Sequence, residues 1–175
     1  MRDIRVMNKF KLRIANKDDL KIAIDIANKG RAIMNSRANP QWDTGYPQED
    51  LLKYDIELSR LYFAYDEEFP KDILGMAVFQ KKKDIEYENE TFWRLEGEYI
   101  CIHRLVSLHK GIGRFIIVEG LALAKSENKC VRIDTHPKNI SMQKLIKSFE
   151  FIERGSFYQA EYIDGAYAIA FELKP

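Results

Sequence analysis

Residues 103–120, His-Arg-Leu-Val-Ser-Leu-His-Lys-Gly-Ile-Gly-Arg-Phe-Ile-Ile-Val-Glu-Gly, constrain this chain more than any other stretch. An apolar strand runs into a short basic turn, and Gly111-Ile112-Gly113 opens an apolar helix. Two glycines let backbone N–H groups approach a ligand with no Cβ in the way. The free N–H groups and positive dipole end of the helix that follows favour an anion there. Strand, glycine turn and helix start, in that order, hold a phosphate with few side-chain charges.

The elements around this unit alternate. Lys9–Ala15 reads as a strand, and Asn16 then caps a helix with Asp18 and Asp19 in its first turn. That helix buries Leu20, Ile24 and Ala27 and continues toward Met34, with Gly30 as a weak point. Residues 39–47 form a turn-rich loop, and Pro47 at the first helical position starts a second helix through Leu58. Leu61–Tyr65 and Ile73–Gln80 are strands. Lys81–Glu90 reads as a charged, solvated connection and a poor source of core residues.

Tyr99–Val106 is a long strand, on which His103 alternates with Cys101 and Leu105 on one face. The helix from Gly113 is apolar nearly all round and should be heavily buried. Val131–Thr135 alternates with Arg132, Asp134 and His136 as a half-buried strand. Met142, Leu145, Ile146 and Phe149 fall on one face of a helix over Ser141–Phe149. Two last strands, Phe151–Tyr162 and Tyr167–Leu173, meet at Asp164-Gly165, a hairpin signal. The order β-α-α-β-β-β-α-β-α-β-β is a mixed α/β (α+β) sheet with helices on both faces.

Length and composition narrow the class. The 175 residues suit one domain over residues 1–175 with a real core. Lysine plus arginine is 28 against 27 acids, a net charge of +1, which argues against a nucleic-acid surface. Cys101 and Cys130 sit in apolar runs without disulfide-framework or zinc spacing, and read as buried free thiols of a reducing compartment. No stretch approaches the roughly 20 apolar residues of a membrane helix. Residues 1–5 do not lead into a secretory core, so a cytoplasmic protein without membrane contact is expected. No Walker or dinucleotide motif supports an NTPase or an oxidoreductase.

The combination resembles the GNAT superfamily of acyl-CoA-dependent N-acyltransferases. The resemblance covers nearly the whole chain. Its strongest part is Ile102-His103-Arg104-Leu105-Val106 leading to Lys110-Gly111-Ile112-Gly113-Arg114, followed by Arg132-Ile133-Asp134-Thr135-His136, Asn139, and Met142 to Phe151. Gln41-Trp42-Asp43 with Tyr46-Pro47 looks like a bacterial branch mostly without assigned function.

The resemblance implies a GNAT fold: a central, mostly antiparallel sheet splayed between its fourth and fifth strands. It implies that backbone groups of Leu105, Val106 and Ser107 bond the pantetheine arm of coenzyme A. Amides of Lys110, Gly111, Ile112, Gly113, Arg114 and Phe115 would cradle the pyrophosphate, and Asn139 would reach the pantetheine or the loop around it. The chain departs from the family pattern twice. Leu108 stands where a Gln or Arg is usual, within a connection from Arg104 to Gly111 that is shorter than usual. Ile146 stands where many relatives carry a tyrosine that protonates the leaving thiolate.

Direct acyl transfer needs an amine to lose a proton and a donor for the developing oxyanion. No Asp or Glu lies within Tyr99–Val106. His103 is the first candidate base, against a packed structural histidine. Glu98 could activate water, or be a solvated strand end. Tyr158 is a replacement acid or an ordinary strand tyrosine. His109 reads as an exposed turn residue, and His136 lines the cleft or simply leads into Pro137. Cys101 with His103 lacks a third ligand or orienting acid, so no metal is expected.

Trp42, Asp43 and Tyr46 form an aromatic pair beside a carboxylate suited to a cationic amine, although Trp42 could instead anchor its loop. The expected activity is transfer of acetyl from acetyl-CoA to an amine of a small molecule or peptide. The rival is a catalytically weak or inactive module that binds an acyl-CoA or serves protein interaction. Exposed aromatics in the terminal hairpin leave room for a homodimer.

Overall fold

Asn16 closes the first strand with a reciprocal cap: its Oδ1 accepts from the Asp18 N–H at 2.9 Å while the Asp19 carboxylate accepts from the Asn16 N–H at 2.8 Å. The computed structural model describes residues 9–42, 45–81, 83–160, 162 and 164–175. In chain order the elements are β1 (Phe10–Ile14), α1 (Leu20–Asn35), α2 (Glu49–Glu57), β2 (Leu61–Asp66), β3 (Phe69–Gln80) and α3 (Ile85–Glu88). Then come β4 (Tyr99–Ser107), α4 (Ile112–Ser126), β5 (Cys130–Thr135), α5 (Ile140–Lys147), β6 (Ile152–Tyr158) and β7 (Tyr167–Leu173).

The strands form one seven-stranded sheet in the order β1-β2-β3-β4-β5-β7-β6. Every neighbouring pair is antiparallel except β4 with β5. On one face α4 and α5 bury Ile112, Ile116 and Ile146 against Phe79, Ile100, Ile102 and Ile133. On the other, α1 and α2 bury Ala23, Ile26, Leu52 and Ile56 against Phe63, Met76 and Val78. α1 runs unbroken through Gly30 because it crosses β4 there: a Cβ on Gly30 would come within 2.8 Å of Val106 Cγ2. The glycine that weakens the helix locally is what lets it dock.

Two features of β4 create the site. Its parallel pairing with β5 lasts only three residues, Tyr99 with Cys130, Ile100 with Val131 and Cys101 with Arg132. Beyond that β4 stays with β3 as far as Ser107, and β5 stays with β7 as far as Thr135. The sheet therefore opens as a wedge.

The second feature is a β-bulge. Met76 faces Val106 and Val78 faces His103, so Arg104 and Leu105 together face the single residue Ala77. Arg104 has φ +51, and one extra residue reverses the inside–outside alternation. Ile102 packs with α4 while Val106 packs with α1. Leu105 turns to the α4 side, not to the face of His103 and Cys101 that strict alternation predicts.

Three other expectations change. α2 begins at Glu49 with Gln48 as its cap, so Pro47 lies ahead of the helix. The terminal strands are joined by a longer connection, with Gly165 at φ +68. The largest correction concerns 81–90. Asp84 caps α3 through the Glu86 N–H at 3.1 Å, and Tyr87 is 1% exposed at the centre of an aromatic cluster. Its ring lies 5.0 Å from Trp93, 5.7 Å from Phe157 and 6.0 Å from His103. A stretch that reads as solvated closes one side of the wedge.

Candidate active site

Two cavities meet in the wedge. One, of about 560 Å³, lies between the glycine turn, α1 and the start of α5, and is walled by Leu105–Gly111, Gly113, Arg114, Ser141 and Leu145. The other, of about 390 Å³, lies between β4, β5, α3 and the loop before α2, and includes Gln41, Trp42, Tyr46, Asp84, Glu86, His103 and Asp134. Met34, Leu105, Asn139 and Met142 belong to both walls.

The glycine turn leaves its cavity open. Gly111 caps α4 at φ +91, a left-handed conformation that costs a side-chain-bearing residue about 1–2 kcal/mol. The amides are not all available, so the cradle is narrower than the sequence suggests. Ile112 N–H bonds the His109 carbonyl at 3.2 Å, Phe115 N–H the Gly111 carbonyl at 2.9 Å, and Gly113 N–H the Ser107 hydroxyl at 3.1 Å. Ile112 and Phe115 point into the core. The amides of Lys110, Gly111 and Arg114 have no acceptor among the described residues. Ser107 Oγ donates in turn to the His109 carbonyl at 3.0 Å, which pins the short connection to the side.

The smaller cavity is built on side chains. His103 Nε2 lies 2.8 Å from Asp84 Oδ2, and Gln80 Nε2 donates to the same oxygen at 3.1 Å. Burial pushes the Asp84 carboxyl up, but the hydrogen bonds from His103 and the Glu86 N–H outweigh it and hold it below its usual range. Asp134 and Glu86 go the other way. Burial raises both above the usual carboxylate range, against the pull of His103 and of the Tyr87 hydroxyl, 2.5 Å from Asp134 Oδ2, and of Gln159 Nε2, 2.9 Å from Glu86 Oε2.

Two arginines on the wall are matched by one carboxylate. Asp55, fully buried, lies 2.7 Å from both Arg60 Nε and Arg104 Nε. Arg60 Nη1 donates to Gln80 Oε1 at 2.7 Å, so the chain Arg104–Asp55–Arg60–Gln80–Asp84–His103 crosses from α2 to the wedge.

The sequence-derived candidates separate cleanly. His103 lies in the wedge with Asp84 as its orienting acid, the group the sequence did not reveal. Cys101 stands beside them, with ligand-type atoms of Asp84, Cys101 and His103 within 4.8 Å of one another. Burial first, then Asp84 and Asp134, push the Cys101 thiol well up, which keeps it a protonated core thiol. Trp42, 3% exposed, anchors its loop against α1 and also lines the cavity, edge-on to Tyr46 at 5.8 Å. The Tyr46 hydroxyl accepts from Arg104 Nη1 at 2.6 Å. Asp43 lies outside the described residues.

Glu98 and Tyr158 line neither cavity. The Glu98 side chain is 79% exposed beside Lys129, and Tyr158, 62% exposed, meets Tyr167 edge-to-face at the sheet edge. His109 is an exposed turn residue, as read. His136 is fully buried and accepts from the Lys138 N–H through Nδ1 at 3.0 Å, so its Nε2–H faces Asp164 Oδ1 at 3.0 Å. Ile146 is fully buried under the sheet and offers no proton. Sequence reasoning missed Asp84 and Glu86. The one local signal was Asp84-Ile85-Glu86, a helix-capping pattern inside the charged run.

The chain has the fold of the GNAT acetyltransferases. An acetyltransferase of the GNAT family from Streptococcus agalactiae superposes with a TM-score of 0.78 at 18% identity, covering 95% of both chains. A spermidine N-acetyltransferase from Vibrio cholerae, in complex with CoA and spermine, gives 0.65 at 16% identity and 95% of both chains. A Salmonella typhimurium protein solved with its cofactor acetyl-CoA gives 0.64 at 16%, covering 95% of this chain and 94% of that one. No family profile and no curated protein matches the sequence. Among the described residues no helix is long and apolar enough to cross a membrane.

Proposed function

We propose that this protein is a cytoplasmic acetyl-CoA-dependent N-acetyltransferase in which a primary amine, of a small molecule or a peptide, attacks the thioester directly. The observation that carries the reading is the meeting of two unlike cavities at Leu105, Asn139 and Met142. One offers backbone amides and a helix start to a phosphate-bearing arm. The other offers carboxylates, a histidine and aromatic rings to an amine. The CoA and acetyl-CoA bound by two proteins of the same fold support this assignment of the larger cavity.

In this reading Leu105, Val106 and Ser107 bond the pantetheine arm, and Asn139, on the wall of both cavities, lies beside it. Lys110, Gly111 and Arg114 supply the phosphate-facing amides, with Gly113 giving the close approach and Ile112 and Phe115 rooting the helix in the core. Trp42 and Tyr46 wall the acceptor. His103 is the base. With Nε2–H directed at Asp84, Nδ1 is the nitrogen left to take the amine proton, and the carboxylate stabilises the imidazolium that results. The C–N bond forms, the C–S bond breaks, and the thiolate leaves with its proton supplied through solvent.

Calorimetry with acetyl-CoA and thiol release across an amine panel test the proposal; absence of both removes it. Buried Ile146 favours one rival, an acyl-CoA-binding module without turnover, which saturable binding with no thiol release for any amine would establish.

A further inference from the structure

Gln41 occupies a short 3-10 turn, Pro40–Trp42, and its side chain lies on the wall of the acceptor cavity. Its amide orientation follows from a chain of fixed hydrogen bonds. Asn139 caps α5, its Oδ1 accepting from the Met142 N–H at 3.2 Å. The other end of that amide is therefore Nδ2, a donor only, and it meets Gln41 at 2.7 Å. The Gln41 atom facing it must be Oε1, which also accepts from Thr135 Oγ1 at 3.3 Å.

One end of the Gln41 amide is thus saturated. The other, Nε2, carries two N–H groups with no acceptor among the described residues, on a side chain bonded to Asn139 where the cavities meet. A neutral donor locked in this way suits a group that gains negative charge during the reaction. It adds no charge to the resting site and needs little reordering when the substrate arrives.

We infer that Gln41 is a catalytic residue, donating from Nε2 to the thioester carbonyl oxygen and to the oxyanion that grows there as the amine attacks. The inference rests on the acetyltransferase reading above. It also gives the Gln41-Trp42 pair a division of labour: Trp42 anchors the turn and Gln41 acts.

Infrared difference spectroscopy of acetyl-CoA labelled at the carbonyl carbon reads this hydrogen bond directly. The bound carbonyl stretch should lie below that of free acetyl-CoA in the wild type. Gln41→Glu keeps an oxygen for Asn139 and Thr135 but has no N–H, and should return the stretch toward the free value. Gln41→Met, neutral and of similar length, separates the missing donor from the added charge. Both variants should lose about 100-fold in kcat, the scale of a deleted oxyanion donor, while binding acetyl-CoA nearly as the wild type does. A wild-type carbonyl without a shift, or a shift that survives both substitutions, overturns the assignment alone. Failure of the wild type to bind acetyl-CoA overturns the acetyltransferase reading along with it.

Discussion

Residues 108–114 and residues 83–87 flank the same wedge and furnish it by opposite means. The first presents backbone: a capping glycine at φ +91 and amides at Lys110, Gly111 and Arg114 that have no acceptor among the described residues. The second presents side chains: Asp84 against His103, Glu86 over the cavity, and Tyr87 bonded to Asp134. A backbone site tolerates changes of side chain but not of conformation. A side-chain site behaves the other way round, because its geometry depends on which atoms are present and on how dry they are.

The contrast is broken most sharply at His103. His103→Ala should lower kcat by about 100-fold or more and leave acetyl-CoA affinity nearly unchanged, the pattern of a lost general base. Asp84→Asn should give a smaller loss in kcat at the same affinity. Equal losses in binding for either variant would show that the side-chain region also holds the cofactor, and the division would fall. Next in size, Tyr87→Ala should destabilise the fold by about 3–5 kcal/mol, because it empties a buried ring-sized space and strips Asp134 of its donor. Chemical denaturation checks it. A cost typical of a surface site would return 81–90 to the solvated connection that its composition suggests.

The two regions also differ in how far the sequence exposes them. Gly111-Ile112-Gly113 before an all-round apolar helix points to backbone geometry, since glycine is used where the chain bends against the L-residue preference. Element order and the buried thiols were legible for the same reason: apolar periodicity records which face meets the core. The stretch Lys81–Glu90 hides its role because burial of Asp84 and Tyr87 depends on partners 15 to 47 positions away, Tyr99, His103 and Asp134. No local pattern carries that. The bulge at Arg104 is hidden too, since β3 and β4 each look regular alone and only their pairing reveals the extra residue.

A third test works on the backbone side. Gly111→Ala should weaken acetyl-CoA binding by about tenfold, with kcat at saturation nearly unchanged, because an alanine relaxes from the left-handed conformation in the free protein and about 1.4 kcal/mol is needed to restore the turn on binding. Lys110→Ala, beside it, should change affinity only slightly, since the amide and not the ammonium faces the cavity in this account. Calorimetry on the pair compares them directly. A larger loss at Lys110 than at Gly111 would make the turn a side-chain site after all.

The smallest effect is in the pH dependence of stability. Hydrogen bonds from His136 and then Lys138 bring the Asp164 carboxyl down from 3.8 to about 2. A carboxyl whose pKa is lower folded than unfolded contributes stability that is full above the unfolded value and is lost as pH falls through the folded one. The loss attached to Asp164 therefore runs between pH 3.8 and about 2. Asp164→Asn should be less stable than the wild type at neutral pH and should lose less on acidification across that window, so the two curves converge. Gly111→Ala, with no titrating group changed, should displace the stability curve without altering its slope. Denaturation midpoints at a series of pH values separate the two shapes. Parallel curves for Asp164→Asn would mean that the charge of Asp164, facing the His136 Nε2–H and the Lys138 ammonium, contributes nothing to the fold, and would leave the ring contact of His136 with Tyr162, at 4.6 Å, among the contacts that hold the loop before β7.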